Sequence, residues 1–125
     1  MSLKTWKING KEFTLNLSDA DVMERYENAF ENMGKAEKAI PKDGKLSDRI
    51  RAGCKLFKDL FNALLGEGSA DQIFEGVPTS LDDYYDIYMN FLEFAQAQLQ
   101  EDMKKRNDRI AKYMPNRQAR RTKKK

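Results

Sequence analysis

The chain has 125 residues, a formal net charge of +3 and no histidine, and 40% of its residues are apolar. This length suits one domain with its own core. Seven Phe, five Tyr and one Trp argue against a compositionally disordered chain. Histidine is the usual proton shuttle at neutral pH and the commonest metal ligand, so its absence excludes ordinary zinc sites and Ser-His or Cys-His nucleophile pairs within this chain.

Three features of the sequence bear on its location. No apolar run approaches the roughly 20 residues that a membrane-crossing helix needs, and Met1 to Gly10 lacks the apolar segment of a signal peptide. The single thiol, Cys54, has no second cysteine in the chain to pair with. We therefore expect no membrane association and a place in the reducing cytoplasm.

The net charge conceals an asymmetry along the chain. Residues 1–103 contain 12 Lys and Arg against 19 Asp and Glu, a net of −7. Residues 104–125 contain 11 against one, a net of +10. The sequence thus predicts an acidic body with a basic end.

The opening segment has the pattern of a β-hairpin. Apolar and polar residues alternate on both sides of Asn9-Gly10, which is the strongest two-residue signal for a type I′ turn. Such a turn sets Trp6 opposite Phe13 and Lys7 opposite Glu12, with one apolar and one polar face. A lone hairpin is marginal in water, so its apolar face must pack on helices or on another copy.

Helical spacing and capping residues predict three helices between the hairpin and residue 74. A first helix follows a cap at Ser18-Asp19 and stops at Pro41. A second begins at Ser47 and runs to Gly66, with a broad apolar face. Residues 69–74 suit a short helix.

A long last helix is predicted after Ser80, which can cap it. Nine of the twelve residues from Tyr84 to Ala95 are apolar or aromatic, so we expect this helix to lie at the centre of the fold. The exceptions form one narrow polar stripe: Asp86, Asn90 and Glu93.

The same helix becomes polar after Gln96 and keeps only a thin apolar line of Leu99, Met103 and Ile110. We expect this part to project from the body before Pro115. The predicted fold is therefore mainly α, with residues 1–115 forming one domain in which an N-terminal hairpin (residues 1–17) packs on three to four helices. Residues 116–125 are predicted to be a disordered basic tail.

Several side chains have a chemical interpretation, but each has a simpler structural one. The acids at the start of the long helix are favoured there by the helix dipole. Cys54 lies on an apolar helical face without a histidine to activate it, which favours a buried structural thiol. Three tyrosines could form a base-stacking platform, yet their spacing suits a core or a protein interface: Tyr84, Tyr85 and Tyr88. We predict no enzyme activity, no cofactor and no metal.

The basic end is the segment whose composition most favours a binding partner. Its simpler interpretation is a solvated tail that aids solubility. The functional alternatives are an acidic protein surface, including the body of another copy, and nucleic acid. Six cations fall within nine residues: Arg117, Arg120, Arg121, Lys123, Lys124 and Lys125.

The order of elements along the chain resembles that of small tail assembly chaperones of long-tailed phages and prophages of Gram-positive bacteria. The resemblance lies in the hairpin Trp6 to Phe13, a capped helix from Ser18, a helical middle and the ending Pro115 to Arg121. The resemblance implies a helical protein made in the host cytoplasm. It also implies binding to the tape-measure protein before the tail tube polymerises, with the major tail protein as a further partner. Such chaperones have no catalytic residues to carry over.

Two function hypotheses follow. The first is a tail assembly chaperone that binds its client through the far end of the long helix (Leu99, Met103 and Ile110), the hairpin edge and the basic residues of the tail. Self-association through the hairpin edge or that helix end is a further expectation. The second hypothesis is a small nucleic-acid-binding accessory protein that uses the basic tail.

Overall fold

A computed structural model describes residues 4–113 of the chain. Within them, a two-stranded antiparallel hairpin is followed by helices, and the last helix has 33 residues. The predicted mainly α fold with an N-terminal hairpin is confirmed. The predictions for the tail, residues 116–125, lie outside the described residues. The elements are β1 (Thr5–Ile8), β2 (Lys11–Thr14), α1 (Ala20–Lys38), α2 (Leu46–Leu65), α3 (Ser69–Ile73) and α4 (Leu81–Tyr113).

The hairpin has the predicted register. Trp6 pairs with Phe13 and Lys7 with Glu12, and the Lys7 Nζ lies 3.7 Å from a Glu12 carboxylate oxygen. Asn9 and Gly10 have φ angles of 51° and 73°, as a type I′ turn requires.

The side chain of Asn9 also fastens the hairpin turn to α3. Its Nδ2 donates to the carbonyl oxygens of Ile73 at 3.2 Å and Glu75 at 2.8 Å. These carbonyls lie at and just beyond the end of α3, where helical carbonyls lack partners of their own. One residue therefore makes the turn and caps a helix.

Helix boundaries agree with the sequence in most places. The Asp19 side chain accepts a hydrogen bond from the backbone N–H of Asp21 and caps α1. The Ser80 Oγ accepts one from the N–H of Asp83 at 3.5 Å. The predicted start of α2 at Ser47 is wrong, because Lys45 has the extended backbone of the cap position and Ser47 already lies in the first turn.

The core lies between α2 and α4, and α4 contacts the hairpin, α1 and α2 as predicted. α2 buries five side chains, whereas α4 buries four and packs five more, half-buried, against the core. The prediction that α4 is surrounded on most sides is wrong, because Tyr85 and Met89 are exposed. An apolar count over 84–95 gives the extent of the apolar surface but not how much of it neighbouring elements cover. The buried side chains of α2 are Cys54, Phe57, Leu60, Phe61 and Leu64.

Trp6 joins the hairpin to both large helices. Its ring stacks on Phe61 of α2 at 5.4 Å and meets Phe91 of α4 edge-on at 5.2 Å. Its indole N–H donates to the Asn90 Oδ1 at 2.8 Å. The predicted burial of Trp6 against helices is confirmed, since only 3% of the residue is exposed.

Gln98 fastens the segment after β2 to α4. Its side chain is fully buried. The Oε1 accepts a hydrogen bond from the backbone N–H of Leu17 at 2.6 Å, and the Nε2 donates to the carbonyl oxygen of Leu15 at 2.8 Å. The Leu15 N–H still donates to the Lys4 carbonyl at 2.8 Å. The Leu15 carbonyl and the Leu17 N–H lie beyond the last strand pair, and the Gln98 amide supplies their partners.

Tyrosines lie where α1 meets α4. The Phe30 ring lies 4.7 Å from Tyr26 and 6.4 Å from Tyr88. Burial raises the pKa of both tyrosines above the usual 10.0, and their mutual repulsion as phenolates raises the pKa of Tyr26 further. For Tyr88, the charges of Tyr85 and Glu37 add to the effect of burial on the pKa.

These raised pKa values predict a loss of stability in alkali. The folded protein holds the phenolic protons more tightly than the unfolded chain, so the stabilisation is complete below pH 10 and is lost as the pH rises through the folded pKa values. Urea unfolding between neutral pH and pH 11 measures this fall. The Tyr26→Phe, Tyr88→Phe double variant should show a shallower decline above pH 10. If the double variant loses stability above pH 10 as steeply as the parent does, Tyr26 and Tyr88 are not the cause of the loss.

Candidate functional site

The far end of α4 extends beyond the body, as predicted. Every residue from 103 to 110 is exposed. Among the predicted contact residues, Leu99 is half-buried, while Met103 and Ile110 are 56% and 53% exposed. The other predicted contact residues, Arg117, Arg120, Arg121, Lys123, Lys124 and Lys125, lie outside the described residues.

The exposed apolar line is longer than the sequence analysis proposed. Two exposed residues, Tyr85 and Met89, continue it towards the start of α4, at 53% and 37% exposed. Leu92 lies between them and Leu99 and, like Leu99, is half-buried and packs against the core. The apolar residues from Tyr85 to Ile110 lie on one face of α4, because they follow one another at intervals of three and four residues once Gln96 and Arg106 are included. We call this surface the open stripe: Tyr85, Met89, Leu92, Gln96, Leu99, Met103, Arg106 and Ile110.

The open stripe and the core line occupy different faces of α4. The buried side chains are Tyr84, Phe91, Ala95 and Gln98. Neighbouring residues of an α-helix are about 100° apart, so a line through residue 84 lies roughly 100° from one through residue 85. The core line therefore anchors α4 to the body, and the open stripe lies beside it, exposed at both ends and half-buried at Leu92 and Leu99.

A shallow groove runs beside the middle of the open stripe. The groove is open to solvent and contains apolar, amide and carboxylate groups. It is lined by Tyr26 of α1 and by Leu92, Glu93, Gln96, Ala97 and Gln100 of α4. A partner helix lying on the stripe would therefore have α1 at its side.

The two ends of α4 have charges of opposite sign, with two further acids, Glu101 and Asp102, between them. Residues 82–93 contain four acids and no base, whereas residues 104–112 contain five bases and one acid. The acids are Asp82, Asp83, Asp86 and Glu93, and the bases are Lys104, Lys105, Arg106, Arg109 and Lys112.

A family model described as a family of unknown function (DUF6673) matches residues 9–124. The chain belongs to this family. No curated protein matches the chain, and no solved structure does. The match to DUF6673 takes in the hairpin turn, the core helices and the whole open stripe.

The groups with a chemical interpretation lie apart in this DUF6673 chain. Cys54 is buried, and that burial raises its pKa although Lys58 acts in the opposite direction. Tyr84 stacks on Phe74 at 3.9 Å inside the core, whereas Tyr85 is exposed, so the tyrosines do not share one stacking face. Within residues 4–113, no three Asp, Glu, Cys or His side chains are grouped as a metal ion would need.

None of the helices in the described part of the chain has the length and apolarity required to cross a bilayer.

Sequence reasoning missed the near half of the open stripe, from Tyr85 to Leu92. The alternating spacing of three and four residues from Tyr85 to Ile110 was a usable signal for it.

Proposed function

We propose that this DUF6673 protein is a phage tail assembly chaperone that binds the tape-measure protein in the bacterial cytoplasm and assists tail tube assembly without catalysis. The observation that carries the proposal is the open stripe. It is an apolar surface at helical spacing on a helix that extends beyond its own body. The resemblance of the whole chain, in its order of elements, to small tail assembly chaperones supports the same function.

The open stripe suits a helical client. A tape measure is a long helical polypeptide, and its apolar faces would aggregate unless another surface covered them. From residue 85 to residue 110 the stripe is about 38 Å long at 1.5 Å per residue, which matches several turns of a client helix. Met89 and Met103 add flexible side chains that adapt to different client residues.

The body serves to hold α4 in place. Trp6 connects the hairpin to α4 through Phe91 and Asn90, and Gln98 connects α4 to the backbone after β2. These contacts lie away from the open stripe. The open stripe thus stays accessible to the tape-measure protein while the body holds the helix. The major tail protein would bind another surface of the body.

Co-expression with a tape-measure protein from the genome that encodes this chain tests the proposal. Tagged full-length chain should capture the client, and Met103→Glu should reduce capture about tenfold, because it places a charge at the centre of an apolar contact. Lys105→Gln is the matched control, since it changes the net charge equally on the far side of α4. No capture by the full-length chain would refute the proposal.

The nucleic-acid hypothesis predicts a different result from the same proteins. Six cations in the tail give a salt slope of up to about −4 for single strands, at roughly −0.7 per phosphate neutralised. Deleting residues 116–125 should then abolish binding to a single-stranded oligonucleotide, whereas the chaperone should still capture its client after this deletion. Salt-sensitive binding to the oligonucleotide without any capture would favour the second hypothesis.

A further inference from the structure

The open stripe has the spacing of a coiled-coil seam. Its eight positions alternate at intervals of three and four residues, which is the a and d pattern of a heptad repeat, and six of the eight are apolar. The largest exposed apolar side chains of α4 include Tyr85, Met103 and Ile110 on this seam. A second helix of the same kind would cover them by knobs-into-holes packing.

We propose that, in the absence of a client, a second copy of this chain covers the stripe, and that the two α4 helices pair antiparallel. Charge determines the direction. Antiparallel pairing places residues 82–93, with four acids, along residues 104–112 of the second copy, with five bases and one acid. Parallel pairing places acids along acids and bases along bases, which like-charge repulsion disfavours.

The identity of the seam residues supports the same direction. In a parallel pair, Arg106 occupies the same layer as Arg106 of the second copy, which brings like charges together in the seam. In an antiparallel pair centred between residues 97 and 98, Arg106 faces Met89 of the second copy, and its aliphatic stem can pack there. This register uses the stripe over its full length, with the layers Tyr85–Ile110, Met89–Arg106, Leu92–Met103 and Gln96–Leu99, each formed twice.

The inference does not depend on the chaperone proposal, because it concerns the isolated protein. A client helix and a second copy would compete for the same surface, so self-pairing protects the stripe until a client arrives. Failure to self-associate would leave client capture untouched, and failure of capture would leave the dimer untouched.

Cross-linking through introduced cysteines tests the direction. Met89→Cys and Arg106→Cys are made separately, and the unmodified chain is the control because its lone thiol, Cys54, is buried. Antiparallel pairing predicts that a mixture of the two variants gives a disulfide-linked dimer in several-fold higher yield than either variant alone. Efficient linkage within each variant alone would show parallel pairing and overturn the proposal.

Sedimentation tests the dimer itself. Over about a hundredfold range of concentration, the full chain should pass from monomer to dimer, and the dissociation constant should rise with salt because opposite charges are apposed. Ile110→Glu should weaken the dimer about tenfold. Lys105→Gln makes the same change in net charge and removes one of the five bases, but on the side of α4 away from the seam, so it should weaken the dimer much less. A protein that stays monomeric throughout would refute the proposal.

Discussion

Replacing Trp6 with alanine is expected to lower the free energy of unfolding by about 3 to 5 kcal/mol. The indole is the contact shared by the hairpin, α2 and α4, with ring neighbours at 5.4 Å and 5.2 Å. Its removal leaves a cavity between three elements and also leaves Asn90 without its indole donor. Urea unfolding followed by far-ultraviolet circular dichroism measures the change.

Two variants separate the loss of the buried ring from the loss of the indole hydrogen bond and from the truncation of any large apolar side chain. Trp6→Phe keeps an aromatic ring but loses the indole N–H, so it should cost less than Trp6→Ala. Leu46→Ala removes a large apolar side chain that is 66% exposed and should change the free energy of unfolding by no more than about 0.5 kcal/mol. A Trp6→Ala protein with the midpoint of the parent would show that the hairpin contributes little to the fold.

The hairpin could be predicted because its information is local. Asn9-Gly10 determines the turn type, and the turn type determines which residues face each other. Residue alternation then tells which face is apolar, and the burial of Trp6 and Leu15 follows. By contrast, the contact between the Asn9 side chain and the carbonyls after α3 joins residues more than 60 positions apart, and no local pattern encodes it.

The exposure of the candidate site could be predicted in part for a related reason. The far apolar residues of α4, Met103 and Ile110, stand out against a polar background, and both are exposed. Tyr85 and Met89 stand among other apolar residues, and their exposure depends on where α1 and α2 end relative to α4. Periodicity separates faces of a helix, but only the packing of neighbouring elements decides which of two apolar faces is covered.

Gln98 was the least predictable of the core residues. Glutamine is mostly a surface residue, and this one lies in a polar stretch of the sequence. Its burial follows from its position, three residues after Ala95 and seven after Phe91 on the core line, and from two backbone groups after β2 that need partners.

The Gln98→Glu variant should therefore lose stability at neutral pH and regain much of it in acid. A carboxylate can accept from the Leu17 N–H but cannot donate to the Leu15 carbonyl, and its charge would be buried in the core. Holding the carboxyl protonated at pH 7 instead costs about 1.36 kcal/mol for each of the roughly 2.7 pH units above its unfolded pKa. The expected loss at pH 7 is thus about 3 to 4 kcal/mol.

The sign of the pH dependence distinguishes this mechanism from a simple packing defect. The folded pKa of the new carboxyl is raised, so its neutral form is tolerated below the unfolded pKa of about 4.3, and stability is lost as the pH rises through the folded value. Unfolding free energies of the variant and the parent, compared from pH 4 to pH 8, should therefore diverge with rising pH. Gln100→Glu makes the same change at an exposed position of α4 and should follow the parent. A Gln98→Glu difference that does not change with pH would mean that the amide fills space rather than bridging Leu15 and Leu17.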